Sequence, residues 1–142
     1  MMKRRFLLAG ATLLPLAPAW ATPGEVSALI RALTGGAPIT PGLVKLDLPL
    51  LVENGNTVAM TVGVEGLPPG VACESLHVFA PENPAPRVIS LRFGPAAARP
   101  QLATRIRLAT SQTVTAIAKL SDGSFRSDEI ELLVTLAACL DE

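Results

Sequence analysis

Two thiols, one imidazole and a pair of guanidiniums are the side chains here whose types and spacing could do chemistry. Cys139 stands three residues from the end, in VTLAACLDE, after a strand-like run. A chain tip offers a side chain little packing, so a thiol there is better explained by what it can touch or carry than by what it fills. Cys73, in GVACESL, sits at the mouth of a strand, where a small buried apolar residue is the simplest role. An even count of cysteines in an oxidising compartment also admits a Cys73–Cys139 disulfide. His77 is the one histidine. Its neighbours Leu76 and Val78 take the opposite face of a strand pattern, which predicts a half-exposed sheet position.

Enzymatic constellations do not assemble from these parts. A histidine-rich metal site lacks a second imidazole, and the cysteines are not spaced as a zinc pair, so no metal and no cofactor is expected. His77 with Cys139 as base and nucleophile would need a rigid geometry that a chain tip does not hold. Asp128, Glu129 and Glu131 read as a turn and the solvent face of the last strand. No glycine-rich loop has phosphate-binding spacing. By elimination the chain is a binding or carrier domain rather than an enzyme. Arg105 and Arg107, in TRIRLATSQTV, project to one face of a strand with Ile106 and Leu108 on the other. That is either a solvated face or a docking surface, since paired guanidiniums clamp carboxylates.

The elements that must position these groups follow an export signal. Residues 1–21 have a basic head (Lys3, Arg4, Arg5), an apolar middle and a small-x-small end at Ala19-Trp20-Ala21. Pro15 and Pro18 interrupt the apolar run too early for a membrane span. The paired arginines resemble a twin-arginine signal, with Lys3 in place of the usual Ser or Thr. Cleavage after Ala21 would deliver the chain to the periplasm. It would also remove three of the 12 basic residues and none of the 12 acidic ones, leaving a net charge of −3. A mildly acidic chain argues against nucleic acid and against anionic membrane as partners.

In residues 23–36, Val26, Leu29, Ile30 and Leu33 fall at helical spacing, with Pro23 at the start and Gly35-Gly36 at the stop. This helix is expected to cover one open end of a β-structure. After it the period changes to two. Val58, Met60, Val62 and Val64 alternate with Thr57, Ala59, Thr61 and Gly63. Further strand candidates are GLVKLDLPLLVENGN, SLHVFA, PRVISLRF, TRIRLAT, QTVTAIAKL and IELLVTL, with the turn Ser121-Asp122-Gly123-Ser124 joining the last pair. About seven short strands between Pro, Gly and Asn turns predict an all-β, immunoglobulin-like β-sandwich with a short N-terminal helix. One domain is expected over residues 22–136, with a C-terminal arm at 137–142.

Taken in order, IRALTGG, LPLLVENGNTV, ENPAPRV, TRIRLATSQTVTAIAKLSDGSF and VTLAAC resemble the SoxY family, the sulfur-carrier subunits of bacterial thiosulfate-oxidising (Sox) systems. The resemblance implies pairing with a second β-sandwich subunit, SoxZ, and a C-terminal cysteine that carries the substrate covalently. A c-type cytochrome enzyme joins thiosulfate to that cysteine, a dimanganese hydrolase releases sulfate, and a sulfane dehydrogenase oxidises what remains. The matching position here is Cys139. The family's flanking glycines are replaced by Ala137 and Ala138 before it and by Leu140, Asp141 and Glu142 after it. Carboxylates beside a thiol disfavour its reactive thiolate. Three readings therefore stand side by side: a covalent sulfur carrier, a scaffold or regulatory subunit that keeps the partner-binding fold, and a disulfide-locked architectural protein.

Overall fold

The computed structural model describes residues 23–138; the export signal read over 1–21 and the tail from Cys139 onward lie outside the described residues. The first element is a helix, α1 (Pro23–Thr34). Proline is at ease in a first turn because its missing N–H has no partner to lose. Glu25 and Arg31 sit at the ends of the helix dipole that suit their charges. Gly35 and Gly36 adopt φ of 64° and 87°, and the Gly35 amide closes on the Arg31 carbonyl at 2.8 Å. This left-handed exit ends the helix at little steric cost.

Nine strands follow: β1 (Ile39–Pro41), β2 (Val44–Asp47), β3 (Leu51–Val52), β4 (Val58–Val64), β5 (Cys73–Phe79), β6 (Arg87–Arg92), β7 (Gln101–Ile106), β8 (Gln112–Leu120) and β9 (Phe125–Val134). The larger sheet runs β1-β9-β8-β5-β6, with β3 also on β9, and the smaller runs β2-β4-β7. Together they form the immunoglobulin-like sandwich that the alternating pattern predicts. Val58, Met60 and Val62 of β4 face Leu76, Val78, Val114, Ala116 and Leu132 of the other sheet in one buried cluster. The turn at Ser121–Ser124 joins β8 to β9, with Gly123 at φ 84°.

Both faces of β5 and β8 are covered. Phe79, Ile117 and Phe125 point away from the sandwich core and are buried under Val26, Leu29, Ile30 and Leu33 of α1. The helix thus lies on the outer face of the larger sheet rather than closing an open end. The reason is the apolar trio itself, which needs a non-aqueous cover as large as one helix stripe.

The strand count exceeds seven because one stretch changes sheets twice. GLVKLDLPLLVENGN, which reads as one strand and a turn, splits into β2 and β3 on opposite sheets. β1 runs parallel to β9 from Ile39↔Phe125 to Pro41↔Ser127. Gly42 (φ 114°) and Leu43 (φ 60°) then swing the chain across the sandwich into β2, which pairs antiparallel with β4. Beyond β2, β3 rejoins β9 in parallel at Leu51↔Leu133. In the gap between these two contacts the Asp128 carboxylate accepts the Leu46 amide at 2.9 Å. An ionised acceptor strengthens such a bond, and it ties the two sheets at their shared edge. Asp128 therefore has a structural partner that its solvent-face reading did not anticipate.

Candidate functional site

Past β9 the chain does not leave the body of the protein at once. The Thr135 amide bonds the Val52 carbonyl at 2.9 Å, and the Leu136 carbonyl accepts the Gly55 amide at 2.8 Å. The Gly55 carbonyl accepts from Leu108 at 2.9 Å, and the Leu108 carbonyl accepts from Ala138 at 3.3 Å. Three separate segments are stitched backbone to backbone, and the stitching reaches the residue immediately before Cys139. Cys139 itself lies outside the described residues.

Gly55 is required here for closeness rather than for a special φ. A Cβ at this position would overlap the Leu108 carbonyl oxygen and stand 2.9 Å from the Ala138 nitrogen and 3.2 Å from the Leu136 carbonyl. Only a residue without a side chain admits two backbones on either side.

Leu108 is held in turn by a buried amide pair. Asn83, 7% exposed, donates to the Arg107 carbonyl at 2.8 Å and accepts the Ala109 amide at 2.9 Å. It thereby fixes the backbone on both sides of Leu108. Gln112 donates to the Asn83 side-chain oxygen at 3.2 Å and to the Thr110 carbonyl at 3.0 Å, and it accepts the Glu82 amide at 3.0 Å. Among the described residues no buried side-chain polar atom lacks a partner. A network satisfied in this way is rigid, because each lost bond would strand a buried group. The Ser111 hydroxyl completes the clasp by accepting the Val134 amide at 2.8 Å.

Asn83 and Gln112 were not singled out from sequence, and Gly55 reads there only as a turn residue beside Asn54 and Asn56. Their signal was present, since all three lie within the quoted runs ENPAPRV, TRIRLATSQTV and VENGNTV. The fold brings these runs and VTLAA to one place.

Arg105 and Arg107 are both exposed and flank the buried Ile106. The Arg105 guanidinium reaches the Thr57 hydroxyl at 3.4 Å, and the Arg107 carbonyl is the one Asn83 holds. The pair is therefore presented beside the clasp.

Cys73 lies far from it. Cys73 pairs with Leu120 at the end of β8, whereas the clasp gathers around Gln112 at its start. A nine-residue strand separates them, about 26 Å at the usual rise. Cys73 is a buried free thiol, and its Sγ donates to the Ser75 carbonyl at 3.4 Å. Burial pushes its pKa up to about 11, the Ser75 bond opposing and the Glu74 charge adding to the rise. The pairing proposed for it involves Cys139 and so falls beyond the described residues.

His77 is also buried, at 9% exposure, which corrects the half-exposed expectation. Its ring nitrogens face the Ser75 and Ser90 hydroxyls, each at 3.0 Å. Burial, then the positive charges of Arg87 and Arg92, hold its pKa below the ordinary value. It is a neutral sheet residue opposite Ile117, away from the clasp. No group of three His, Cys, Asp or Glu converges among the described residues.

The profile of the sulfur oxidation protein SoxY family matches residues 30–139. Among solved structures, the sulfur carrier protein SoxY from Chlorobium limicola f thiosulfatophilum superposes with a TM-score of 0.68 at 24% identity, covering 81% of this chain and 100% of that one. The superoxide reductase neelaredoxin of Ignicoccus hospitalis gives 0.55 at 16% identity, over 85% of this chain and 99% of that one. At these identities the likeness to both structures is one of fold. No curated protein matches the chain in sequence.

Two outcomes test the geometry. Gly55→Ala forces the clasp open and is expected to cost about 2 kcal/mol in urea unfolding, with faster amide exchange at Leu108 and Ala138; wild-type stability and exchange would show that the clasp tolerates a Cβ. For His77 the unfolded chain takes up a proton near 6.5 while the folded chain resists it. Its contribution is complete above that pH and is lost as pH falls below it. His77→Gln should flatten that loss, and an unchanged acid slope would clear His77 of it.

Proposed function

Because the chain belongs to the SoxY family of sulfur oxidation proteins, whose profile spans residues 30–139, we propose that it is a periplasmic covalent carrier of thiosulfate-derived sulfur. Residues 1–21 export it and are cleaved after Ala21, and it works paired with a SoxZ-like subunit. The attachment point is Cys139. The observation that supports this most is the clasp: the family-matching runs converge through Gly55, Asn83 and Leu108 on Ala138, the residue before that cysteine. A fold that fixes the root of a tail to this degree sets where the tail starts and which enzyme mouths it can enter.

The chemistry follows from sulfur exchange. On loading, the Cys139 thiol and the outer sulfur of thiosulfate form an S–S bond. One proton leaves to solvent and two electrons leave to a c-type cytochrome enzyme. Hydrolysis by a dimanganese enzyme then breaks the S–SO₃ bond, water supplying the added oxygen of sulfate, and a persulfide stays on the carrier for a sulfane dehydrogenase. The protein's own part is to present the thiol. Cys73 is poorly suited to replace it, being buried, protonated and about a strand's length, ~26 Å, from the clasp. Leu140, Asp141 and Glu142 favour a second reading, a scaffold subunit with the partner surface retained and the carriage lost.

Intact-mass spectrometry without reductant, on exported protein given thiosulfate and the system's enzymes, separates these readings. The expected species lacks residues 1–21 and bears a reductant-sensitive sulfur adduct that disappears in Cys139→Ser; an adduct that persists there, or none in the wild type, overturns carriage. In a separate test of the partner surface, Arg105→Glu with Arg107→Glu should weaken co-purification with the SoxZ-like subunit by about tenfold. Undiminished pairing would return both arginines to a solvated face.

A further inference from the structure

The large hydrophobic side chains left exposed among the described residues are four leucines: Leu50 (70% exposed), Leu51 (57%), Leu133 (62%) and Leu136 (59%). Single exposed leucines are ordinary. These four are not scattered. Leu51 and Leu133 are register partners, the Leu50 carbonyl accepts the Leu133 amide at 2.9 Å, and Leu136 is the residue that bonds Gly55. All lie on the β3–β9 ladder or its direct continuation into the arm. Leu133 shares the face of β9 that carries Phe125, but α1 covers Phe125 and leaves the Leu133 end of the strand open.

We propose that this leucine surface is where an enzyme that acts on the arm docks, an inference that rests on the carrier reading above. The occupant is a protein surface with an apolar ridge bordered by lysine or arginine, placed beside the mouth of a cleft. Position argues for it first. Ala138 hangs from Leu108 next to Leu136 and Gly55, and Leu133, paired with Leu51, lies three residues before Leu136 on the same run of chain, so a protein that takes the following residue into a cleft comes close to this ladder. Charge argues second. Glu53 and Glu131 are exposed at the edges of the same ladder, and neither pairs with a cation among the described residues. Area argues third. Four exposed leucines amount to a few hundred Å², below the roughly 800 Å² per partner of a stable interface. That suits the apolar centre of a visiting contact, released after each step, better than a permanent subunit seam.

The experiment uses the purified paired carrier, immobilised and presented in turn to the purified cytochrome, hydrolase and dehydrogenase of its own system. Leu51→Ser with Leu133→Ser alters exposed positions, so the thermal midpoint and retention of the paired subunit should stay at wild-type values. Affinity for at least one enzyme is expected to fall by about tenfold or more. Glu53→Lys with Glu131→Lys should weaken the same contact, and added salt should weaken it in the wild type. Affinities within about twofold of wild type for all three enzymes would overturn the proposal. So would loss of the paired subunit with enzyme binding kept, which assigns the leucines to the permanent seam, or failure of the wild type to bind any enzyme. Carriage is read separately by the mass of Cys139: a chain that loads sulfur but docks without the leucines keeps its carrier function and loses this surface.

Discussion

The close approach of three backbones at Gly55 is the contact on which the path of the chain beyond β9 depends. It involves no side chain at its centre, because the space for one is occupied by the Leu108 carbonyl and the Ala138 amide. Around it the side chains serve the backbone. Asn83 and Gln112 hold the turn that delivers Leu108, and Ser111 and Thr135 satisfy or reinforce the last rungs beside β9. Buried amides are costly unless every bond is made, so these residues specify one geometry for the backbone of residues 107–112.

The edge of β9 extends the same logic to the fold as a whole. A sandwich of two sheets has edges to protect, and here one stretch of chain, residues 39–52, guards the edge from which the arm departs. It pairs with β9, crosses to the small sheet, and returns to β9. The crossing needs a non-glycine residue, Leu43, at positive φ, a conformation with a real steric cost. The burial of its neighbours Val44 and Leu46 in the core and the Asp128–Leu46 bond offset that cost. The strand that carries the arm is thereby fastened along both sides.

What could be read in the sequence was what periodicity encodes. The stripe on α1, the alternation in β4, the Ser121–Ser124 turn and the buried role of Cys73 all depend on neighbours within a few residues. What could not be read depended on contacts far apart in the chain. Gly55 looks like an ordinary turn glycine until Leu108 and Ala138 arrive beside it. Asn83 looks like a loop polar residue until residues 107–112 close over it. The position of α1 and the burial of His77 follow from the outward faces of β5 and β8, whose runs LHVFA and AIA are apolar on both sides and conceal which face meets the other sheet. The division of residues 42–56 between two sheets was hidden because Leu46, Leu48 and Leu50 keep one period through the break, and only Pro49 interrupts the donors.

For the carriage proposed above, a second thiol in the chain is a hazard, since any accessible thiolate attacks an S–S bond. Burying that thiol removes the hazard in two ways. It denies access, and it suppresses ionisation: a pKa of about 11 for Cys73 leaves roughly one thiolate in ten thousand at neutral pH. Distance adds a third barrier, because Cys73 lies at the far end of β8 from the clasp. A disulfide would ordinarily add stability to a chain with two cysteines. Here the sandwich fastens its last strand by backbone bonds on both edges. The arrangement of β1, β2 and β3 around β9 thus fastens the last strand through backbone bonds and carries the chain on to the Gly55 contact.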